Sequence, residues 1–325
     1  MLRKVFIALL SLFTLISLIP YLIPIPSANS YSYDKVFLES EYLDIDGINI
    51  HYRKWTPDME IINGKILMVH GLGGSTFAWR HNINYLEEKG YIVVAVDLPG
   101  FGYSDRKPGV NHSQKERSKI LWKLLDTIDL SLNQNLGEMS WILVGHSMGG
   151  GTVAAMTMDN LKRTKGLVMV DGAVFNDNSE RASKLLNYPP FARWIKVLFS
   201  SYFLDTDRFS RFLSSAYGRK PSIDEVQGYL IPLSIPGTAD AMIDLTKTAN
   251  NEPIEKLMEA DVPILAIWGD NDTWVSLDEA NKIKEVLPKA ELIIIKGAAH
   301  CPMETNYREF NNYLMKFIEN KIAYR

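Results

Sequence analysis

The chain has 325 residues, of which 46% are hydrophobic and 22% are charged, and its formal net charge is -3. This is the composition of a globular protein, so wholesale disorder and fibrous or collagen-like repeats are excluded. No block of Lys and Arg stands out, which argues against a nucleic-acid partner. The single cysteine, Cys301, excludes a disulfide framework and a cysteine-based zinc site.

The first 30 residues carry a membrane signal. Arg3 and Lys4 precede an apolar run over residues 5–25, which is long enough for a helix to cross a hydrocarbon core of about 30 Å. Small residues at 27–30 would also suit cleavage by signal peptidase. We therefore expect a membrane anchor with the rest of the chain outside the cytoplasm, or alternatively a cleaved signal and a secreted protein. Three prolines are expected to end the helix and form a stiff spacer: Pro20, Pro24 and Pro26.

Two strands joined by a tight turn follow. Phe37–Ile45 and Ile48–Trp55 alternate as strands do, and Asp46-Gly47 between them can adopt positive φ. The sequence therefore predicts a β-hairpin here.

Six short apolar runs rich in β-branched residues come next. They are Lys65–Val69, Tyr91–Val96, Trp141–Val144, Gly166–Val170, Ile264–Trp268 and Glu291–Ile295. Such runs suit strands buried on both faces of a parallel sheet. Helical patterns lie at about 76–89, 112–130, 148–162, 276–287 and 304–322. The alternation predicts an α/β fold, with a mostly parallel, doubly wound sheet of about eight strands and right-handed crossovers.

The rhythm breaks between residues 176 and 258. This segment has no strand-like run, and it is too long for a simple loop. We expect a helical cap (176–258) over the carboxyl edge of the sheet, with 31–175 and 259–325 forming the catalytic domain and 1–30 the anchor or signal. Aromatic side chains of the cap are expected to line an apolar pocket or to form the cap's own core: Tyr188, Phe191, Trp194, Phe199, Tyr202, Phe203, Phe209, Phe212 and Tyr217.

A candidate nucleophile lies between the third of these buried runs and the next helix. The motif Gly145-His146-Ser147-Met148-Gly149 matches G-x-S-x-G in a strand–turn–helix context. The glycines allow the close backbone approaches of a strained turn, and the following helix directs its positive amino end at the serine. We expect the hydroxyl of Ser147 to be exposed at the carboxyl edge of the sheet.

A serine hydroxyl needs a base, and the base needs a carboxylate to orient it. His300 follows the last strand-like run and is the expected base. Asp270 and Asp272 both follow the run Ile264–Trp268, and either can supply the carboxylate. Cys301, although next to His300, lies in no comparable turn and is expected to be a bystander.

A glycine-rich turn after the first buried run is expected to stabilise an oxyanion. In His70-Gly71-Leu72-Gly73-Gly74, the amide of Leu72, or failing that of Gly73, would complement the Met148 amide. Gly71, Gly73 and His146 are expected to contact substrate. The turn lacks the glycine and lysine patterns of nucleotide-binding loops.

With these motifs the chain resembles the capped α/β-hydrolase superfamily, specifically its serine esterases and lipases. The resemblance rests on residues 70–75, 97–105 (with D-x-P-G-x-G-x-S), 145–150 and 268–300. It implies that the acid lies three residues after the glycine ending the seventh strand, which is Asp272. Some relatives place the acid after strand six, which would be Asp171. Related epoxide hydrolases and dehalogenases use an aspartate where this chain has Ser147.

The expected function is hydrolysis of a hydrophobic carboxylic ester through an acyl-serine, with Ser147, His300 and Asp272 as the triad. No metal and no organic cofactor is expected, and the partners are a small ester substrate and the membrane. Carbon–carbon bond, amide or perhydrolase chemistry stays open as an alternative, because similar motifs serve all of them. A binding protein that has lost catalysis is the third possibility.

Overall fold

A computed structural model describes residues 2–25, 36–175 and 185–323. The predicted cleavage segment at 27–30 and the first nine residues of the predicted cap lie outside these ranges, and the predicted domain boundaries stay predictions. Across the described residues an eight-stranded sheet has the order β1-β2-β4-β3-β5-β6-β7-β8. The strands are β1 Ser40–Ile45, β2 Ile48–Trp55, β3 Gly64–Val69, β4 Tyr91–Val96, β5 Trp141–His146, β6 Thr164–Val170, β7 Ile264–Gly269 and β8 Glu291–Ile295.

Helices cover both faces of the sheet and fill the insertion. They are α1 Leu2–Leu22, α2 Ile83–Glu88, α3 Gln114–Ser131, α4 Gln134–Glu138, α5 Met148–Asp159, α6 Pro189–Leu198, α7 Thr206–Tyr217, α8 Ile223–Leu233, α9 Thr238–Thr248, α10 Leu277–Val286, α11 Pro302–Thr305 and α12 Tyr307–Phe317. We call residues 185–248, which contain α6 to α9, the cap. The predicted α/β fold with a helical insertion after the sixth strand is confirmed.

The sheet is parallel from β4 through β3 to β8, while β1 and β2 are antiparallel. Strands β3, β4, β5 and β7 are buried along their whole length. Burial on both faces explains why these strands are continuous apolar runs. The predicted hairpin is also present, with φ of 55° at Asp46 and 75° at Gly47. Because parallel strands end at one edge, the loops after β3, β5, β7 and β8 converge there.

Two local expectations are wrong. The predicted helix over 76–89 is a 3-10 turn, Thr76–Trp79, followed by the short helix α2. Of the three prolines expected to end the first helix, Pro20 does not, because α1 continues through it and ends at Leu22, just before Pro24. By length and composition α1 could cross a membrane, and a signal sequence fits the same description.

Candidate active site

Ser147 occupies a strained turn between β5 and α5. Its φ of 51° and ψ of -119° are rarely adopted by residues with a side chain. The turn is tied down by the Ser147 amide, which donates to the Val170 carbonyl at 2.9 Å. A Cβ atom at Gly145 would lie 2.2 Å from the Gly149 carbonyl oxygen, and one at Gly149 would lie 2.3 Å from that of Val69. Both glycines of the motif are therefore required by close backbone packing.

His300 and Asp272 meet at the same edge of the sheet. The His300 Nδ1 atom donates to Asp272 Oδ2 at 2.7 Å, and both side chains are buried. Asp272 Oδ1 accepts the amides of Trp274 at 2.7 Å and Val275 at 3.1 Å. Burial alone would raise the pKa of Asp272, but the hydrogen bond and charge of His300 and these two amides lower it below the ordinary value. Asp272 is thus an anionic partner for the imidazole.

The other two candidate aspartates have different surroundings. Asp270 Oδ1 accepts the Gly297 amide at 2.6 Å and so joins the loop after β7 to the loop after β8. Asp171 is fully buried with φ of 43°, and its Oδ1 accepts the Gly269 amide at 2.9 Å. Burial and the neighbouring Asp272 carboxylate raise the pKa of Asp171 well above its usual range. Of the three aspartates, Asp272 holds the hydrogen bond to His300.

These side chains also form a candidate cation site by distance alone. Within the described ranges, ligand atoms of Asp171, Asp272 and His300 all lie within 4.8 Å of one another. Burial and the Asp272 carboxylate raise the pKa of Asp171 well above its usual range, which disfavours the anionic form that a metal ligand needs, and His300 Nδ1 is engaged with Asp272. The arrangement therefore fits a hydrogen-bonded histidine–aspartate pair better than a metal site.

The glycine-rich turn after β3 is held by a buried histidine. The Leu98 amide donates to His70 Nε2 at 3.0 Å, so Nδ1 carries the proton and donates to the Gly71 carbonyl at 2.6 Å. In a trans peptide the carbonyl of Gly71 and the amide of Leu72 point in opposite directions. His70 therefore directs the Leu72 amide away from itself, and Leu72 lines the cavity described below. This role of His70 could not be predicted from its place in the glycine-rich motif.

Met148 is the first residue of α5 and directly follows Ser147. Amides of the first helical turn have no partner within the helix, and the helix dipole adds positive potential at this end. The Ser147 carbonyl accepts the amides of Gly150 at 2.9 Å and Ala173 at 3.0 Å, which fixes the turn from the other side. The predicted oxyanion donors, Leu72 and Met148, thus flank the serine from β3 and from α5.

A cavity of about 360 Å³ joins these groups. Ser147, His300, Leu72 and the three predicted substrate contacts, Gly71, Gly73 and His146, all line it. Most other lining residues are apolar: Ala78, Phe203, Phe209, Phe212, Leu213, Ala216, Leu233, Met242, Trp274, Val275 and Cys301. Among the described residues that line this cavity there is no Lys, Arg, Asp or Glu. A wider groove of about 560 Å³ lies beside the amino ends of β7 and β8, away from Ser147.

His146 lines the cavity but has a second partner. Its Nε2 donates to the His300 carbonyl at 2.7 Å, and the two rings lie 4.7 Å apart. Burial and the nearby His300 lower the pKa of His146 to about 3, so the ring stays neutral. The geometry favours a role in holding the His300 loop, and its predicted contact with substrate stays a prediction.

Three of the nine predicted cap aromatics, Phe203, Phe209 and Phe212, line the cavity. Tyr217 instead donates to Glu304 at 2.6 Å, as does Tyr229 of α8. Glu304 also pairs with Arg80, and it lies on α11 just after His300. Sequence reasoning missed this junction of cap and sheet domain, because no local motif marks Glu304.

Cys301 is buried in the cavity wall next to His300. Burial, together with the nearby Glu304, raises the pKa of its thiol well above the usual value. The thiol is therefore not activated as a nucleophile.

Comparison with known proteins gives one family and several distant relatives. The family model for the alpha/beta hydrolase fold matches residues 65–307. A 2-hydroxy-6-oxononadienedioate/2-hydroxy-6-oxononatrienedioate hydrolase from Burkholderia vietnamiensis is 24% identical over 86% of this chain and 95% of its own. Lipase 1 from Psychrobacter immobilis is 26% identical over 77% of each chain. Among solved structures, a bacterial membrane phospholipase A covers 98% of this chain and 97% of its own, with a TM-score of 0.68 and 20% identity.

Proposed function

The chain belongs to the α/β-hydrolase family, and from this premise we propose that it hydrolyses hydrophobic carboxylic esters through an acyl-serine intermediate. The observation that carries the proposal is one cavity lined by both Ser147, on its strained turn, and His300, which is hydrogen-bonded to Asp272. Hydrolase chemistry agrees with the family and with relatives named as hydrolases and a lipase.

In the first half of the reaction, Ser147 Oγ attacks the ester carbonyl while its proton passes to His300 Nε2. Asp272 holds the imidazole by Nδ1 and stabilises the positive charge that forms on it. The amides of Leu72 and Met148 donate to the carbonyl oxygen as it becomes an oxyanion. When the carbon–oxygen bond breaks, His300 returns the proton to the leaving alkoxide, and an alcohol departs.

Water completes the cycle by the same groups in reverse roles. His300 Nε2 takes a proton from water as the hydroxide attacks the acyl carbonyl, and the same amides hold the second oxyanion. The proton then returns to Ser147 Oγ as the acid leaves. The lowered pKa of Asp272 keeps its carboxylate ionised throughout, as this relay requires.

The cavity lining favours an ester over the substrate class named for several relatives. Those relatives are named for dioates, which carry two carboxylates. Burying a carboxylate without a cationic or hydrogen-bonding partner is unfavourable, and the described lining residues include no Lys or Arg. An apolar acyl group suits the aromatic walls instead. Carbon–carbon bond hydrolysis stays the second candidate, on the strength of those names.

The site of action is proposed to be a membrane surface outside the cytoplasm. The helix α1 is 21 residues long and almost wholly exposed, and Arg3 and Lys4 at its start favour a cytoplasmic amino end. The likeness to a membrane phospholipase A is in accord with such an anchor. Signal cleavage with secretion is the alternative.

Two assays test the proposed function. A fluorophosphonate probe should label wild-type protein but not the Ser147→Ala variant, and nitrophenyl esters of short and medium chain should be cleaved by wild type. Labelling without turnover of any ester would move the assignment to carbon–carbon or amide bonds. Absence of labelling in folded protein would leave a binding protein.

A further inference from the structure

A hydrogen bond joins the cap to helix α1 at a carbonyl that a proline leaves without its usual donor. Pro20 has no amide proton, so the carbonyl of Ile16, four residues earlier, loses its donor within α1. Trp194 of α6 supplies the missing donor, because its Nε1 lies 2.9 Å from the Ile16 carbonyl oxygen. A helix break inside a membrane is tolerated where a neighbouring group satisfies the freed carbonyl.

The end of α1 is held by the same cap helix. Arg193 donates through Nε to the Pro20 carbonyl at 3.1 Å and through Nη2 to the Ile23 carbonyl at 3.0 Å. A cation at a helix carboxyl end satisfies free carbonyls and complements the helix dipole. Deeper along α1, the hydroxyls of Ser17 and Tyr188 lie 2.6 Å apart, and the rings of Phe13 and Tyr188 stack at 5.8 Å.

These contacts fix how deep the cap reaches. At about 1.5 Å of rise per residue, Phe13 lies about 13 Å from Leu22 along the axis of α1, and Ser17 lies about 7 Å from Leu22. If α1 spans the bilayer, the start of α6 therefore lies within the outer leaflet, at a depth typical of interfacial amphipathic helices. The aromatic and cationic side chains that make the contacts, Tyr188, Trp194 and Arg193, are types that membrane interfaces favour.

The outward side of this region is apolar. Phe191 and Leu198 flank Trp194 on one face of α6 and are 39% and 56% exposed, and Tyr202 beyond it is 56% exposed. The opposite side carries Lys196, which pairs with Asp240 of α9. Exposed apolar side chains continuous with a membrane helix are suited to lipid rather than water.

A row of aromatic rings leads from this face to the catalytic histidine. Phe199 stacks on Phe203 at 5.5 Å, Phe203 contacts Phe212 at 4.8 Å, Phe212 contacts Trp274 at 4.8 Å, and Trp274 lies 5.1 Å from His300. Phe203, Phe212 and Trp274 line the cavity. An acyl chain moving along this row would stay in contact with apolar surface from the bilayer to Ser147.

We infer that the apolar face of α6 (Phe191, Trp194 and Leu198) docks into the bilayer beside α1, and that the enzyme draws an acyl-ester lipid from the membrane into its cavity. The inference rests on the proposed ester hydrolysis and adds to it the source and class of the substrate. The occupant of the face is lipid, because α6 already contacts the membrane helix along its outer half.

Position-specific labelling of the full chain in phosphatidylcholine vesicles tests the docking. Because the one native cysteine is buried, a cysteine introduced by Leu198→Cys can be labelled alone with an environment-sensitive fluorophore. The matched control is Leu130→Cys, an exposed leucine beside Asp129, which bonds to Lys65 and Trp141 at the amino ends of β3 and β5. We expect nitroxide-bearing lipids to quench the label at 198 and not at 130.

Equal quenching at 198 and 130, or none at either, would overturn the docking. So would a label at 198 that becomes protected only as protein concentration rises in detergent, since that would show a second copy of the chain on this face. The wild-type protein, treated with the same fluorophore, measures background labelling of Cys301.

Activity separates this inference from the proposed function. With a soluble short-chain nitrophenyl ester, Leu198→Asp and Leu130→Asp should both match wild type. With a long-chain ester dissolved in the vesicles, Leu198→Asp should lose about 10-fold or more in rate, because a charge on the docking face opposes insertion, while Leu130→Asp should not. Normal rates of Leu198→Asp on both substrates would refute lipid access alone, whereas failure of wild type on the soluble ester would refute the proposed function.

Discussion

Two parts of this molecule bring a serine, a histidine and an aspartate together, and in both the histidine is hydrogen-bonded to the aspartate. In one, His300 and Asp272 stand beside Ser147. In the other, which is buried, Ser40 Oγ lies 2.8 Å from His51 Nε2. His51 Nδ1 lies 2.7 Å from Asp97 Oδ2, the same separation as in the first pair.

The two serines differ in backbone conformation and in position. Ser40 starts an antiparallel strand, is 3% exposed and does not line the cavity, and its oxygen also accepts the Phe37 amide at 3.1 Å. Ser147 lies on a turn with positive φ, at the amino end of a helix and in the cavity wall. Under the proposed function, in which Ser147 is the nucleophile, a histidine and an aspartate do not by themselves make a serine catalytic. Access for a substrate and amides aimed at an oxyanion are needed too.

Removing each serine in turn gives the sharpest test of this contrast. Ser147→Ala should lower kcat for an ester by about 10⁴-fold or more, because the nucleophile is lost. Ser40→Ala should leave kcat within about 3-fold and lower the free energy of unfolding by about 1 kcal/mol, through one lost hydrogen bond. Steady-state kinetics and urea unfolding of both variants provide the measurement. Comparable loss of kcat in Ser40→Ala would mean that the buried group takes part in catalysis.

The next test concerns the carboxylates near His300. Asp272→Asn should lower kcat by about 10³- to 10⁴-fold, since an amide cannot stabilise the imidazolium or hold its tautomer. Asp171→Asn, which keeps a side chain of similar shape that can still accept the Gly269 amide, should cost less than about 10-fold. If the order of the two effects is reversed in ester kinetics, Asp171 is the acid.

The buried histidine should matter for folding instead. His51→Phe leaves the Asp97 carboxylate and the Ser40 hydroxyl buried without their ring partner, which should lower the free energy of unfolding by about 3 kcal/mol. Activity per folded molecule should stay within about 3-fold. Urea unfolding followed by far-UV circular dichroism measures the first quantity. Unchanged stability would show that Asp97 finds sufficient partners in the amides of Thr76 and Tyr103.

The stabilisation that His51 gives to Asp97 should also depend on pH, with a smaller change in the free energy of unfolding. Burial would raise the pKa of Asp97, but the charge and hydrogen bond of His51 lower it below 3.8. Its contribution to stability is therefore complete above the unfolded pKa of about 4 and is lost as the pH falls through the lower folded value. The stability difference between wild type and His51→Phe should be constant from pH 7 to about 5 and shrink below about 4, as measured by urea unfolding. The contribution of Asp171, whose raised pKa has the opposite sign, cancels in this difference.

Much of the sheet and the site follows from local patterns. Buried strands appear as apolar runs, and Ser147 is marked by glycines that its own turn requires. Asp272 could be singled out only by likeness to a family, because Asp270 follows the same strand and only their side-chain partners distinguish them.

What sequence did not reveal depends on contacts between distant segments. His51 and Asp97 are 46 positions apart, and no motif relates them. Trp194 donates to the Ile16 carbonyl, which Pro20 leaves without a donor in α1, from 178 positions along the chain. In each case the partner is brought close by tertiary packing, which local propensity does not encode.

The hydrogen bonds to Glu304 fix one part of the cap above the cavity, and another part of the cap takes no part in them. The hydroxyls of Tyr217 on α7 and Tyr229 on α8 both donate to the Glu304 carboxylate of α11, which attaches these two helices to the sheet domain. Residues 199–203, which include Phe203 in the cavity lining, do not contribute to these hydrogen bonds. We expect substitutions of Phe203 to change which acyl-chain lengths fit the cavity. Substitutions of Tyr217 or Tyr229 should instead weaken the attachment of the cap to the sheet domain.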